Sequence, residues 1–172
     1  IATNHPLNII ISGPPGRGKS LITYKLAEVL FGSDNQTLSL PHSNIMFISS
    51  DFIINSYEKK HSAVITVSEI KEINNFLQHK IQRNQKRLVI IDGAENMNLH
   101  SSNALHKTLE HQCNATHIVL TTHKLHNLLA TIRSRCQNIY LPPLSFKEFS
   151  LFLHKEYPDQ KRILNHQELF KT

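Results

Sequence analysis

The chain reads as short apolar runs separated by longer stretches in which apolar residues recur at helical spacing. Leu7-Asn8-Ile9-Ile10-Ile11-Ser12 is apolar almost throughout and ends in a Gly/Pro turn, the pattern of a strand buried on both faces. Ile45-Met46-Phe47-Ile48, Arg87-Leu88-Val89-Ile90-Ile91-Asp92, His117-Ile118-Val119-Leu120-Thr121 and Asn138-Ile139-Tyr140-Leu141 repeat it. Between them, Ile22, Leu26, Val29 and Leu30 form one helical stripe, with Gly32 as its stop signal. Ile70, Ile73, Leu77 and Ile81 form another after Ser68, and Glu69 and Glu72 place negative charge in its first turns. A third helix is expected from Ser101 to His111 and a short one through Leu125 to Ser134. Such alternation predicts βαβ units: an α/β fold with a parallel sheet flanked by helices. Pro142-Pro143 breaks the pattern, and Phe146, Phe149, Leu151, Phe152 and Leu153 begin a new amphipathic helix. The expected organisation is a sheet domain over 1–143 and the beginning of a helical subdomain over 144–172.

Composition narrows the class. With 172 residues, 40% hydrophobic and 19% charged, the chain can bury a sizeable single core. It has no apolar run of about 18 residues, so no membrane span is expected. Ile1-Ala2-Thr3-Asn4-His5-Pro6 lacks the basic and apolar regions of a signal peptide, which points to the cytoplasm. Cys113 and Cys136 show no CxxC spacing, so zinc is not expected and a reducing compartment fits. The net charge of +6 suits a polyanionic partner, although the positive charges are scattered through the chain.

The chemistry concentrates in two places. Gly13-Pro14-Pro15-Gly16-Arg17-Gly18-Lys19-Ser20 matches G-x-x-x-x-G-K-[ST], between a strand and a helix. Its glycines let backbone N–H groups turn toward phosphate oxygens, and the following helix aims its positive end at the same charge. Lys19 is expected to reach the β- and γ-phosphates of ATP and Ser20 to ligate Mg²⁺. Asp92, at the end of the strand Leu88-Val89-Ile90-Ile91-Asp92, is the expected partner of Ser20 through the Mg²⁺ hydration shell. Many such ATPases carry Glu next, to activate the attacking water; here the residue is Gly93. Glu95 has left the strand and is expected to point elsewhere. Without that base a factor of about 10² to 10⁴ in rate is lost, so weak or absent hydrolysis is expected.

Three further segments resemble the clamp-loader branch of the AAA+ ATPases. Ile65-Thr66-Val67-Ser68-Glu69-Ile70 resembles the lead into the helix before the acidic strand. Asn103-Ala104-Leu105-His106-Lys107-Thr108-Leu109-Glu110 is similar to that branch's N-A-L-L-K-T-L-E helix, and Thr131-Ile132-Arg133-Ser134-Arg135-Cys136-Gln137 to its T-I-R-S-R-C-Q motif. The resemblance implies that Arg135 is an arginine finger, reaching the γ-phosphate of ATP bound by a neighbouring subunit. It implies a γ-phosphate sensor at Thr122 and a lid beginning after Pro143, and, with the rest of the lid and the collar lying beyond Thr172, either a truncated chain or a reduced protein. Gly93 departs from the Asp-Glu of the gamma or tau motor, so the resemblance is to subunits of the delta-prime kind. The implied partners are gamma/tau and delta subunits, a sliding clamp and primed DNA held through its backbone. Cys136 reads as a packing residue more than a reactive thiol.

Overall fold

The five apolar runs become five parallel strands in the computed structural model, which describes residues 6–31, 42–49, 64–79, 85–111, 115–143, 145 and 148. In chain order the elements are β1 (Leu7–Ser12), α1 (Lys19–Phe31), β2 (Ile45–Ser49), α2 (Val67–Gln78), β3 (Arg87–Asp92), α3 (Leu99–Glu110), β4 (Thr116–Thr122), α4 (Ala130–Arg133) and β5 (Gln137–Tyr140). Short 3₁₀ turns stand at Ala94–Asn96 and Leu125–Asn127. The sheet order is β2-β3-β4-β1-β5, and each adjacent pair is parallel.

Alternation along β1 to β4 splits the core into two layers, whereas β5, expected to be buried, is exposed along its length as an edge strand. Ile10, Ile48, Ile91 and Leu120 face α2, α3 and α4, packing with Ile70, Ile73, Leu105 and Ile132. Ile9, Ile11, Phe47, Ile90 and Val119 face α1, where Ala27 and Leu26 meet them and Tyr24 stacks on Phe47 at 5.3 Å between ring centroids. The two-sided cover explains why the strands read as near-continuous apolar runs.

The helix starts follow their caps. α2 begins at Val67, one residue before Ser68, because Thr66 is the N-cap and the Glu69 carboxylate accepts from its N–H and hydroxyl. α3 begins at Leu99 because Asn98 accepts from the Ser101 N–H at 2.8 Å. The single helix expected over Leu125 to Ser134 is instead the Leu125–Asn127 turn and α4. Leu128 and Leu129 are extended at ψ 140 between them, which lets Leu128 reach the core. β4 runs one residue further than expected and takes in Thr122. The expectations at Gly32, Ile81, Cys113, Phe146 and Phe149 to Leu153 lie outside the described residues.

The chain divides into two compact units, Ile1–Leu141 and Pro142–Thr172. In the second, the Glu148 carboxylate accepts from the Ser145 N–H at 2.8 Å and hydroxyl at 2.7 Å, a helix-opening capping box.

His117, in β4, is 2% exposed, and neither ring nitrogen has a hydrogen-bond partner among the described residues. Burial first, and then the charge of Lys86, lower its pKa below the usual histidine value. The unfolded chain therefore takes up the proton more readily. This contribution to stability is full above the unfolded value of about 6.5 and is lost as pH falls below it. Denaturant unfolding measured across pH is expected to show a loss of stability below about pH 6.5 that His117→Phe flattens. An acid slope equal in both proteins would remove His117 from the account.

Candidate functional site

The loop between β1 and α1 is shaped by what surrounds it. The Gly13 N–H donates to the Thr122 carbonyl at 3.2 Å, and the Leu141 N–H donates to the Ser12 carbonyl at 2.7 Å. Gly13 has φ 151, and a Cβ there would lie 2.4 Å from the Leu141 carbonyl oxygen. Only glycine fits this position. Pro14 is half-buried, Pro15, Gly16 and Gly18 are exposed, and a Cβ on Gly16 would meet no atom within 4 Å. The loop thus leaves space on its open side. α1 begins at Lys19, so the unpaired N–H groups of its first turn adjoin that space.

Lys19 Nζ donates to the carbonyls of Gly13 at 2.9 Å and Pro14 at 2.8 Å. Burial lowers its pKa, opposed by the carboxylates of Glu95 and then Asp92. Arg17, in the same loop, has a buried Nε without a hydrogen-bond partner among the described residues. Ser20 Oγ donates to Asp92 Oδ2 at 2.7 Å, and the Thr121 hydroxyl donates to Asp92 Oδ1. Thr121 Oγ1 in turn accepts from the Gly93 N–H at 3.0 Å. Asp92 is therefore fixed from both sides, by α1 and by β4.

Thr122 points the other way. It is fully buried, and its hydroxyl accepts from the Lys124 N–H at 3.1 Å. Strand alternation brings Thr121, not Thr122, to Asp92. The sequence pattern contains the alternation, but the pairing also requires β3 beside β4, and sheet order is not written in any one segment.

Glu95, beyond the end of β3, turns to His123 just past β4. Its side chain is 4% exposed, and Oε1 pairs with His123 Nδ1. Oε2 is buried without a hydrogen-bond partner among the described residues.

Arg135 stands apart from this group, beyond the end of α4. Its guanidinium donates to Glu110 Oε1 at 2.6 Å and to the Thr131 carbonyl at 3.0 Å, with 36% of the side chain exposed. Glu110, which closes α3, also meets His106 Nε2 at 3.2 Å. Cys136 packs against the core, and burial pushes its thiol up to about 11, which suits a packing role.

The residues present fit a phosphate group and a hard divalent cation. The loop offers open space beside helix N–H groups, Lys19 offers a cation, and Ser20 with Asp92 offers oxygen donors of the kind Mg²⁺ prefers.

A family model described as "DNA polymerase III, delta subunit" matches residues 3–145. Replication factor C subunit 4 of Oryza sativa subsp. japonica is 28% identical over 143 residues, which is 82% of this chain and 38% of that protein. DNA polymerase III subunit delta' of Haemophilus influenzae is 38% identical over 80 residues, 45% of this chain and 24% of that protein. Among solved structures, a DNA polymerase III gamma subunit-related protein of Thermotoga maritima superimposes with a TM-score of 0.66 at 23% identity. That match covers 94% of this chain and 51% of the other. The chain thus spans at most about half the length of these relatives.

Proposed function

This chain belongs to the DNA polymerase III delta-subunit family, within the clamp-loader branch of the AAA+ proteins, and from that premise we propose that it is a delta-prime-type subunit of a bacterial clamp loader. Its role is to hold nucleotide at residues 13–20 and to donate Arg135 to a neighbouring motor subunit while a sliding clamp is loaded on primed DNA.

Gly93 is the observation that carries the choice of subunit. It occupies the left-handed region at φ 76 and ψ 46, where the motor subunits are expected to place a glutamate. A site without that glutamate hydrolyses ATP slowly, while the loop, Lys19, Ser20 and Asp92 remain suited to binding ATP and Mg²⁺. ATP in the neighbouring motor subunit would supply the phosphoanhydride bond that is cleaved, while ATP held here would stay largely intact. The loop N–H groups and Lys19 would hold its phosphates, and Ser20 and Asp92 would hold Mg²⁺ through its water shell. The γ-phosphate sensor role expected of Thr122 does not fit its buried side chain, which is engaged by the Lys124 N–H. The same intact set of binding residues favours a second reading, a gamma/tau-type motor.

In this reading, gamma/tau and delta subunits are direct partners, DNA is met through phosphates without sequence readout, and the protein works in the cytoplasm. Reconstitution is the test. The full-length protein is expected to assemble with gamma/tau and delta subunits, and its omission to reduce clamp loading on primed DNA to background. Full loading by gamma/tau and delta alone would overturn the reading.

A further inference from the structure

Resting on the nucleotide-binding reading above, we propose that Thr121 is a positioning residue for Mg²⁺. Its hydroxyl fixes the Asp92 carboxylate, and through it the Ser20 hydroxyl, in the orientation a cation and its water shell need.

Thr121 reaches Asp92 by register. β3 and β4 run parallel with Ile91 beside Leu120, so the next step along the strands sets Asp92 beside Thr121 on one face of the sheet. Thr121 is 1% exposed, and a β-branched side chain packed in a strand has little freedom at χ1. Its hydroxyl is therefore held at the carboxylate. Neither the loop pattern nor the acidic strand end specifies a hydroxyl at this place, so the contact adds to the site those patterns predict.

The direction of each hydrogen bond is forced. The Gly93 N–H can only donate, and it donates to Thr121 Oγ1 at 3.0 Å. An ionised carboxylate can only accept, so the one proton of the Thr121 hydroxyl goes to Asp92 Oδ1. By the same reasoning Ser20 Oγ gives its proton to Asp92 Oδ2 at 2.7 Å. That leaves the Ser20 lone pairs for a hard cation, which takes oxygen ligands. A carboxylate free to turn would release the Ser20 proton, which could then point at the cation instead. Each Asp92 oxygen also keeps a second lone pair, able to accept from the waters of a bound cation.

Thr121 acts through Asp92. Groups one step removed from a cation set the orientation of its ligands, and losing one typically costs about 10- to 100-fold in affinity. Gly93 has a use in this chain of contacts: its left-handed turn, φ 76 and ψ 46, carries the N–H that orients Thr121. Holding a cation requires no hydrolysis, so this role agrees with a site that keeps its ATP intact.

The test titrates Mg²⁺ into the full-length protein while ATP binding is followed at equilibrium, with chelator present for the metal-free affinity. Thr121→Val, which keeps the shape and removes the hydroxyl, is expected to raise the Mg²⁺ concentration for half-maximal enhancement of ATP binding about 10- to 100-fold. Metal-free ATP affinity should not change. Thr121→Ser, which keeps the donor, should restore most of the Mg²⁺ response. Thr121→Ala, read in the same way, covers a valine variant that does not fold. An unchanged Mg²⁺ response in Thr121→Val overturns the role. Equal loss of metal-free and Mg²⁺-dependent binding also overturns it, as the mark of a merely structural contact, and so does a serine variant as weak as the valine one. Wild-type protein that binds ATP with no response to Mg²⁺ overturns the role and leaves the nucleotide reading standing. Wild-type protein that binds no nucleotide defeats that reading first, and the role of Thr121 with it.

Discussion

Arg135→Ala in the reconstituted clamp loader is expected to lower clamp- and DNA-stimulated ATP hydrolysis at least tenfold, toward the roughly 10³-fold lower end of arginine-finger contributions. The energetics of the resting contact favour this outcome. In the isolated chain Arg135 rests on Glu110 at 2.6 Å, a contact 36% and 35% exposed on its two sides. Such pairs contribute about 0–1 kcal/mol, because solvent screens them and two long side chains must be ordered. A factor of 10³ in rate corresponds to about 4 kcal/mol of transition-state stabilisation. In the proposed finger role, leaving Glu110 would therefore cost far less than reaching a neighbour's γ-phosphate would gain. Arg135→Lys should not restore the rate, since an ammonium lacks the planar fork that meets phosphate with two parallel hydrogen bonds. The thermal stability of the isolated subunit should change little in either variant. An unchanged hydrolysis rate in Arg135→Ala would reduce Arg135 to a helix-end residue held by Glu110.

Gly13→Ala should be among the most destabilising single substitutions in the sheet domain. Its Cβ would lie 2.4 Å from a backbone carbonyl oxygen, an atom that cannot swing aside as a side chain can. Overpacking of this kind costs about 1–3 kcal/mol and a non-glycine residue in a sparsely populated backbone region about 1–3 more. The melting temperature should fall on the order of 10 °C. Gly16→Ala is the control: the backbone is again at positive φ, 73, but no atom lies within 4 Å of the added carbon. It should cost about 1–2 kcal/mol, the left-handed penalty alone. Equal melting temperatures for the two variants would show that the approach of Leu141 to Gly13 does not constrain the loop.

Much of this architecture is legible in the chain because each relevant signal is local. The strands β1 and β3 have the bounds their apolar runs imply, since a parallel strand covered on both faces must be apolar along its length. The contact between Ser20 and Asp92 is legible too, because a phosphate loop and an acidic strand end are each short patterns with one chemical use. What was not legible depends on segments meeting. Thr121 reaches Asp92 only because β4 lies beside β3. Glu95 returns to the sheet edge only because Gly93 bends left-handed and His123 awaits at the end of another strand. Glu110 looks like a helix-closing residue until Arg135 arrives from beyond α4. The split of the helix after Leu125 has the same origin, because burial of Leu128 outweighs the helical propensity of its neighbours.

The place of β1 in the sheet also sets a timetable for synthesis. The phosphate loop is encoded near the start of the chain, yet β1 lies between β4 and β5, and Ser12 bonds to Asn138 across 126 residues. Gly13 takes its shape from Thr122 and Leu141. At about 5–20 residues per second, roughly 6–25 s separate translation of the loop from translation of the strand that completes its frame. During that interval the nascent chain carries the phosphate-binding sequence without the walls that shape it. On the proposed reading, nucleotide would therefore meet its site only after the sheet has closed, and would stabilise the finished domain more than its early folding.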